Sequence, residues 1–295
     1  MKKILLLGST GMLGWQVLKS LQELRNYKIF ATYKSKKKLL LLKDNLKDNN
    51  KINFIRFDIN NSSKKNFSKF DYIINCIGII KPYIDEKNQS SIKNAIKINS
   101  LFPHDLILKN NKTKIFQIAT DCVYDGRKGN YIENDFHNPE DVYGKTKSLG
   151  EIHSKNFFNI RCSIIGPELN GHKSLLDWFK LLPLNSKVFG FKNHNWNGVT
   201  TYAYGKVISA IIKKNLSIPN MVHLTPKNCL NKFELLKIFK KNLNRNDINI
   251  KSKNAKIKID RTIQTNDKDL NKKLWHNAGY KKVPTIKYLV EELIN

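Results

Sequence analysis

Two short runs carry residue types whose spacing can do chemistry. The first is Gly8-Ser9-Thr10-Gly11-Met12-Leu13-Gly14, directly after the apolar stretch 3–7. Glycines at that spacing let the backbone turn tightly and approach a pyrophosphate, whose charge is met by amides at the start of a helix. The second is Tyr143-Gly144-Lys145-Thr146-Lys147. On a helix, positions four apart share a face, so a phenol and an ammonium can point at one reacting centre. A free phenol, with a pKa of about 10, is a slow acid or base near neutrality, and an adjacent cation lowers that value. The pair can then exchange a proton with a substrate oxygen. Lysine is so abundant here that a Tyr-x-x-x-Lys spacing arises by chance, and its meaning depends on its company.

The glycine run implies a dinucleotide, so the end of the second strand should record which one. A carboxylate there would hold the ribose 2′-hydroxyl of NAD. The chain has Thr32-Tyr33-Lys34-Ser35-Lys36 instead, with no acid and two lysines. A 2′-phosphate would be attracted, so NADP(H) is preferred and NAD(H) remains possible. Gly8, Thr10, Gly11, Met12, Leu13 and Gly14 are expected at the pyrophosphate, with Tyr33 and Lys34 at the ribose. Asp58 and Ile59 are placed to meet the adenine, and Cys76, Ile77 and Gly78 close the fourth strand beside the cofactor.

The elements that must position these residues follow a βαβ rhythm, short apolar runs alternating with longer amphipathic ones. Strands are expected over 3–7, 29–33, 53–58, 72–76, 114–119 and 159–165. Helices are expected over 12–24, where Leu13, Val17, Leu18, Leu21 and Leu24 recur at helical spacing, and over the lysine-rich 35–50. Beyond Gly166 the rhythm changes: a helix over 174–182, a loop over 191–201, a helix over 204–213, a polar run without period over 242–258, and a last helix over 284–294 with Pro284 in its first turn. These spans describe a doubly wound α/β parallel sheet with helices on both faces over 1–165. A smaller α+β lobe covers 166–295, and some of its segments are expected to return to the first layer.

The run Ile118-Ala119-Thr120-Asp121-Cys122-Val123-Tyr124-Asp125-Gly126 follows an apolar strand and precedes the Tyr-x-x-x-Lys by about two dozen residues. Here the chain resembles the extended short-chain dehydrogenase/reductases, and within them the dTDP-4-dehydrorhamnose reductase-like, sugar-nucleotide-binding branch. Apart from Ala119, residues 119–126 and 143–147 match that family's pattern. The resemblance covers nearly the whole chain, including Asn75 to Gly78, Asn99 in a helix, and Arg161-Cys162-Ser163-Ile164-Ile165-Gly166-Pro167. It implies a Rossmann-type fold with Thr120, Tyr143 and Lys147 as catalytic residues. Thr120 would bond the reacting oxygen, Tyr143 would be the general acid, and Lys147 would lower the phenol pKa and hold the nicotinamide ribose. Asn99 would support the surroundings of Lys147. A homodimer is a further expectation.

Dehydratases of the superfamily carry Asp-Glu after the threonine, whereas this chain has Asp121-Cys122. Without that glutamate, hydride delivery to a ketone is the expected reaction. The substrate expected is a 4-keto nucleotide sugar, in the making of surface polysaccharide or O-antigen precursors. An epimerase of the same superfamily and a non-catalytic NADP-binding protein are the alternatives. Thr120, Asp121, Cys122, Lys173, Trp178 and Trp196 are the candidate substrate contacts, although Trp178 shares helical spacing with Leu175, Leu176, Phe179 and Leu182, as a core residue would.

Bulk properties narrow the field. The formal net charge is +29, but only six of the 53 basic residues are arginine, the residue suited to planar recognition of phosphates and bases. Lysines are spread along the chain, so a solvated surface is expected and no nucleic-acid partner. The apolar start is too brief for a membrane span, and Gly8, Gly11 and Gly14 break up the residues after it. No membrane is expected. The four cysteines form no CxxC pair and suit a reducing cytoplasm, and the seven histidines form no HxxxH pattern, so no metal is expected.

Overall fold

Successive side chains of a strand point to opposite faces, and a strand apolar at every position must be covered on both. That is the situation of β1 (Lys2–Leu7). Ile4 and Leu6 enter one core and Leu5 and Leu7 another, all four sealed from solvent. The computed structural model describes residues 1–47, 50–60 and 66–295.

After β1 come α1 (Met12–Leu21), β2 (Tyr27–Tyr33), α2 (Lys36–Asp44), β3 (Ile52–Arg56) and β4 (Tyr72–Asn75). A helical path then runs through α3 (Gln89–Ile96), one π-turn at Lys97–Leu101, and α4 (Phe102–Lys109). β5 (Lys114–Ala119), α5 (Val142–Leu149) and β6 (Phe157–Arg161) complete the first part. The remainder comprises β7 (Ile164–Ile165), α6 (Leu175–Lys180), β8 (Lys187–Phe191), β9 (His194–Trp196), β10 (Val199–Thr200), α7 (Thr201–Lys213), β11 (Met221–His223), β12 (Leu230–Asn231), α8 (Lys232–Asn242), β13 (Asn249–Lys253), β14 (Ile259–Asp260), α9 (Lys268–Asn277) and α10 (Ile286–Ile294).

Seven strands form one parallel sheet in the order β11-β6-β5-β4-β1-β2-β3. Helices α1, α7 and α9 cover one face and α4 the other. This is the expected doubly wound α/β arrangement. The order reverses between β1 and β4, and at such a point the two crossovers diverge and leave a crevice at the carboxyl ends of the strands. Segments from beyond residue 166 enter this layer: β11 pairs with β6, and α7 lies against α1. A third core, holding Phe179, Trp196, Leu235, Phe239, Ile286 and Val290, is built from the second half of the chain. Among the described residues no helix is long and apolar enough to cross a membrane.

The structure corrects several expected boundaries. The strand expected over 159–165 is two. β6 ends at Arg161, and β7 pairs instead with β10, because the Ser163 carbonyl accepts from the Val199 amide at 2.8 Å and turns the chain out of the main sheet. The expected loop 191–201 holds β9 and β10, and the aperiodic run 242–258 holds β13, an edge partner of β8. Pro284 lies outside the last helix. Thr285 is the cap, accepting from the Tyr288 amide, since a hydroxyl can satisfy a free helix amide and a proline cannot. The second expected helix, 35–50, extends only to Asp44, and positions 48 and 49 of that span lie outside the described residues.

Candidate active site

The glycine run works as close packing demands. Gly8 has φ +77° and Gly14 lies so near it that a Cβ there would stand 2.0 Å from the Gly8 carbonyl oxygen. The strand end and the helix start are therefore pressed together, with the Gly8 amide donating to Thr32 Oγ1 at 2.9 Å. Gly11 caps α1 without a side-chain hydrogen bond, so the first amides of the helix stay open toward an anion.

Those amides face a cleft of about 460 Å³, lined at this end by Thr10, Gly11, Met12 and Leu13. Cys76 and Gly78 join from the end of β4, and Thr120, Asp121 and Cys122 from the turn after β5. Tyr143 and Lys147 of α5 line the same cleft. They are brought there by Gly144, where a Cβ would stand 2.2 Å from the Cys122 carbonyl oxygen, so α5 can seat against the turn that carries Thr120. Asp141 caps the helix by accepting from the Gly144 amide at 2.7 Å. Thr120 Oγ1 accepts from the Cys122 amide and donates to Asp121 Oδ1, both at 3.2 Å.

The electrostatics differ from the sequence expectation. Burial raises the Tyr143 phenol above its ordinary value, Cys122 and nearby carboxylates add to the rise, and a hydrogen bond with Thr120 opposes it. Lys147 is not among the groups that offset this, and its Nζ donates to the Ile118 carbonyl at 2.8 Å. Burial pushes the Lys147 ammonium down to about 8, while Glu151 and Cys76 pull it upward. The phenol therefore keeps its proton at physiological pH, and in these surroundings it is a weaker acid than a free tyrosine.

Asn99 does not touch Lys147. Its amide nitrogen donates to the Ile79 carbonyl at 3.0 Å and to Thr146 Oγ1 at 3.1 Å, and its oxygen accepts from the Ile79 amide at 2.9 Å. It therefore ties the loop after β4 to α5. The π-turn at Lys97–Leu101 that holds it is a local widening seen often at functional sites.

Beneath α5 lies a polar network that sequence reading did not find. Arg161 is fully buried and donates to Glu151 Oε1 at 3.2 Å, Tyr124 Oη at 2.6 Å, His223 Nε2 at 2.6 Å and His137 Nε2 at 2.7 Å. Because the guanidinium only donates, both imidazoles accept at Nε2 and are neutral, and His223 Nδ1 is left to donate to the Gln264 carbonyl at 2.6 Å. Burial pushes His223 down to about 4, Arg161 adds to this, and Glu133 opposes it. An unfolded histidine, with a pKa of about 6.5, binds its proton first as pH falls, so the unfolded state gains protons that the folded state refuses. Stability should therefore fall between pH 6.5 and about 4, by about 3 kcal/mol from this residue. Urea midpoints measured from pH 7 down to 4.5 will show it; a flat profile across that window would refute the neutral buried imidazole.

Several expected contacts lie outside the lining of this cleft. Gly8 and Gly14 shape the turn without lining the cleft, and Ile59 and Ile77 pack on the core beneath the sheet. Tyr33 ends β2, its carbonyl accepting from the Phe57 amide at 2.8 Å. Lys34 is 3.0 Å from Asp58 Oδ2, an ion pair outside the cleft lining. Lys38, one turn into α2, enters the cleft instead. Trp178 is a correction: it is 41% exposed and outside the cleft, because Leu176 and Phe179 occupy the buried face of the short α6. Trp196 and Lys173 do line the cleft, Trp196 with its indole nitrogen donating to Ser163 Oγ at 2.8 Å. Lys173 lies 4.5 Å above the Tyr83 ring. Sequence reading missed Lys232, also in the cleft. Among the described residues no three His, Cys, Asp or Glu side chains gather as a metal site requires.

A family model described as the RmlD substrate binding domain matches residues 1–295. Among curated proteins, the methionine adenosyltransferase 2 subunit beta of Danio rerio is 27% identical over 150 residues, 51% of this chain and 42% of that one. The matched region is thus less than half of that relative's length. Among solved structures, a dTDP-4-dehydrorhamnose reductase from Bacillus anthracis in complex with NADP superposes with a TM-score of 0.70 at 18% identity, covering 99% of each chain. A UDP-glucuronic acid 4-epimerase from Bacillus cereus, in complex with UDP-glucuronic acid and NAD, reaches 0.75 at 17% identity, covering 99% of this chain and 98% of that one. At such identities the likeness concerns the fold.

Proposed function

The chain belongs to the RmlD substrate binding domain family, and from that premise we propose that it is an NADPH-dependent reductase of a 4-keto nucleotide sugar, similar to dTDP-4-dehydrorhamnose reductases and serving surface polysaccharide or O-antigen precursors. The observation that carries this is the meeting of Thr120, Tyr143 and Lys147 with the open start of α1 in one cleft. NADPH supplies the hydride when bound. The α1 amides, with Thr10 and Gly11, receive its pyrophosphate, and Lys147 holds the ribose beside Cys76 and Gly78. Thr120 steadies the ketone oxygen and Tyr143 gives it a proton. Elimination finds no partner here: burial, reinforced by Asp121, pushes the Cys122 thiol up to about 12, too weak an acid to replace a glutamate.

Lys38 takes the role first given to Lys34 and meets the 2′-phosphate, since Lys34 is already paired with Asp58. Lys38→Glu is expected to weaken NADPH binding about tenfold, roughly 1.4 kcal/mol, and to leave NADH binding nearly unchanged. Fluorescence titration with both cofactors will decide; an equal effect on the two would remove Lys38 from the phosphate.

The proposal as a whole is tested by NADPH oxidation at 340 nm with a panel of 4-keto-6-deoxy nucleotide sugars. Oxidation with one of them supports it. No oxidation despite NADPH binding would favour epimerisation, for which the UDP-glucuronic acid 4-epimerase likeness is the supporting observation, or a non-catalytic role. A cytoplasmic setting belongs to the same reading, since all four cysteines are free thiols suited to a reducing compartment. So does a homodimer, to be read by size-exclusion chromatography.

A further inference from the structure

β8 (Lys187–Phe191) and β13 (Asn249–Lys253) pair in parallel, apart from the main sheet. Alternation along each strand sends its side chains to two faces. Val188 and Ile250 pack on the third core, and a Cβ on Gly190 would stand 2.5 Å from Phe233 Cα, so α8 lies against that side. Lys187, Phe189 and Phe191 therefore point the other way, and their register partners Asn249, Lys251 and Lys253 share that face. The face is open. Lys187, Asn249, Lys251 and Lys253 are all exposed, and Phe189 is 55% exposed.

Two properties combine there. The face is basic without relief, since 181–194 and 248–259, the two strands with their flanking loops, contain six lysines and no Asp or Glu. It is apolar as well. Phe189 has the Lys253 ammonium 5.4 Å from its ring centroid, and the Phe191 ring lies 4.8 Å from that of His194. His194 Nε2 in turn donates to the carbonyl of Ile257, a residue 74% exposed. Large apolar side chains standing in water among unopposed cations fit a surface that is anionic outside and apolar beneath. Single-stranded nucleic acid also offers anions and flat rings, but its recognition favours the planar guanidinium, and neither segment holds an arginine. None of these residues lines the cleft.

We propose that this face of β8 and β13 docks on an anionic lipid surface, its lysines at the phosphate headgroups and Phe189 and Ile257 entering the boundary with the acyl chains. Among the described residues no helix can span a bilayer. Lying on one asks only for apolar area to bury and for charge attraction. The inference is independent of the reductase reading and concerns where the chain works, not what it catalyses.

The test is flotation of the full chain with vesicles of phosphatidylcholine alone or mixed equally with phosphatidylglycerol. The wild type should float with the mixed vesicles and not with the neutral ones, and added salt should weaken the binding. The triple variant Lys187→Gln, Lys251→Gln, Lys253→Gln should lower affinity about 100-fold, roughly fivefold for each lysine. Phe189→Ser should lower it about tenfold through the lost apolar contact. A control triple, Lys268→Gln, Lys273→Gln, Lys281→Gln, removes equal charge from exposed positions elsewhere and should lower it less than about threefold. Unchanged urea midpoints and NADPH affinity will show that the variants fold. Equal weakening by the two triples would assign the binding to overall charge and overturn the proposal. Equal flotation with neutral vesicles, no flotation, or undiminished affinity in Phe189→Ser would overturn it too. Tighter binding to a single-stranded oligonucleotide than to mixed vesicles, lost in the Lys187, Lys251 and Lys253 triple, would give the face to nucleic acid instead.

Discussion

Tyr143→Phe is expected to reduce NADPH-dependent ketosugar turnover by about 10²–10⁴-fold, the usual contribution of a positioned general acid, with NADPH binding unchanged. The substitution removes one oxygen from a ring whose place is set by other contacts. Gly144 holds α5 against the Cys122 carbonyl, and Asp141 caps the helix, whichever ring stands at 143. What is lost is the proton. Burial raises the phenol pKa, so the proton is in place at neutral pH. Thr120 and Cys122, the neighbouring groups that carry a proton, both direct it to Asp121 Oδ1, at 3.2 Å and 3.8 Å. Stopped-flow oxidation of NADPH under single turnover isolates this step. A loss smaller than tenfold would show that the proton comes from elsewhere.

Arg161→Met is expected to lower stability by about 3–5 kcal/mol, because it strands a buried charge. The guanidinium is wholly buried and the Glu151 side chain is 3% exposed, so neither ion has water in reach. Arg161 also supplies the proton for the Nε2 atoms of His137 and His223 and for the Tyr124 oxygen. Removing it leaves an acid, two ring nitrogens and a hydroxyl short of a donor. The double variant Arg161→Met, Glu151→Leu should recover part of the loss, since an apolar pair avoids the stranded charge. Urea midpoints will measure all three, and a loss under about 1 kcal/mol in Arg161→Met would show that water reaches the network. The same variant should slow turnover, because Glu151 follows α5 directly and is the principal group holding the Lys147 ammonium up toward its ordinary value.

The parallel sheet was legible because its strands are apolar on both faces, and only a strand covered by helices on both sides has that composition. β5 was expected over 114–119 and lies at Lys114–Ala119. The glycine turn was legible for a similar reason: no other residue tolerates a carbonyl 2.0 Å from where its Cβ would be. β7 and β10 were not legible, since two-residue strands carry no period, and their pairing joins residues 164–165 to residues 199–200.

Charge partners were the least legible of all. One lysine among many looks like any other in a sequence, and nothing in Lys34 announces its pairing with Asp58, or in Lys38 and Lys232 their entry into the cleft. The phenol pKa was misjudged for the same reason. Tyr143 and Lys147 do share a helix, but the lysine is directed to the Ile118 carbonyl, and burial prevails.

Taken alone, then, the order of apolar runs and the glycine spacing determined the fold class, because each depends on neighbours within a few residues. The tertiary structure decided which lysines are free to meet ligands, which histidines stay neutral and where Trp178 points. Those properties depend on burial and on contacts between residues far apart in the chain, such as Arg161 with His223, which come together only when the sheet closes.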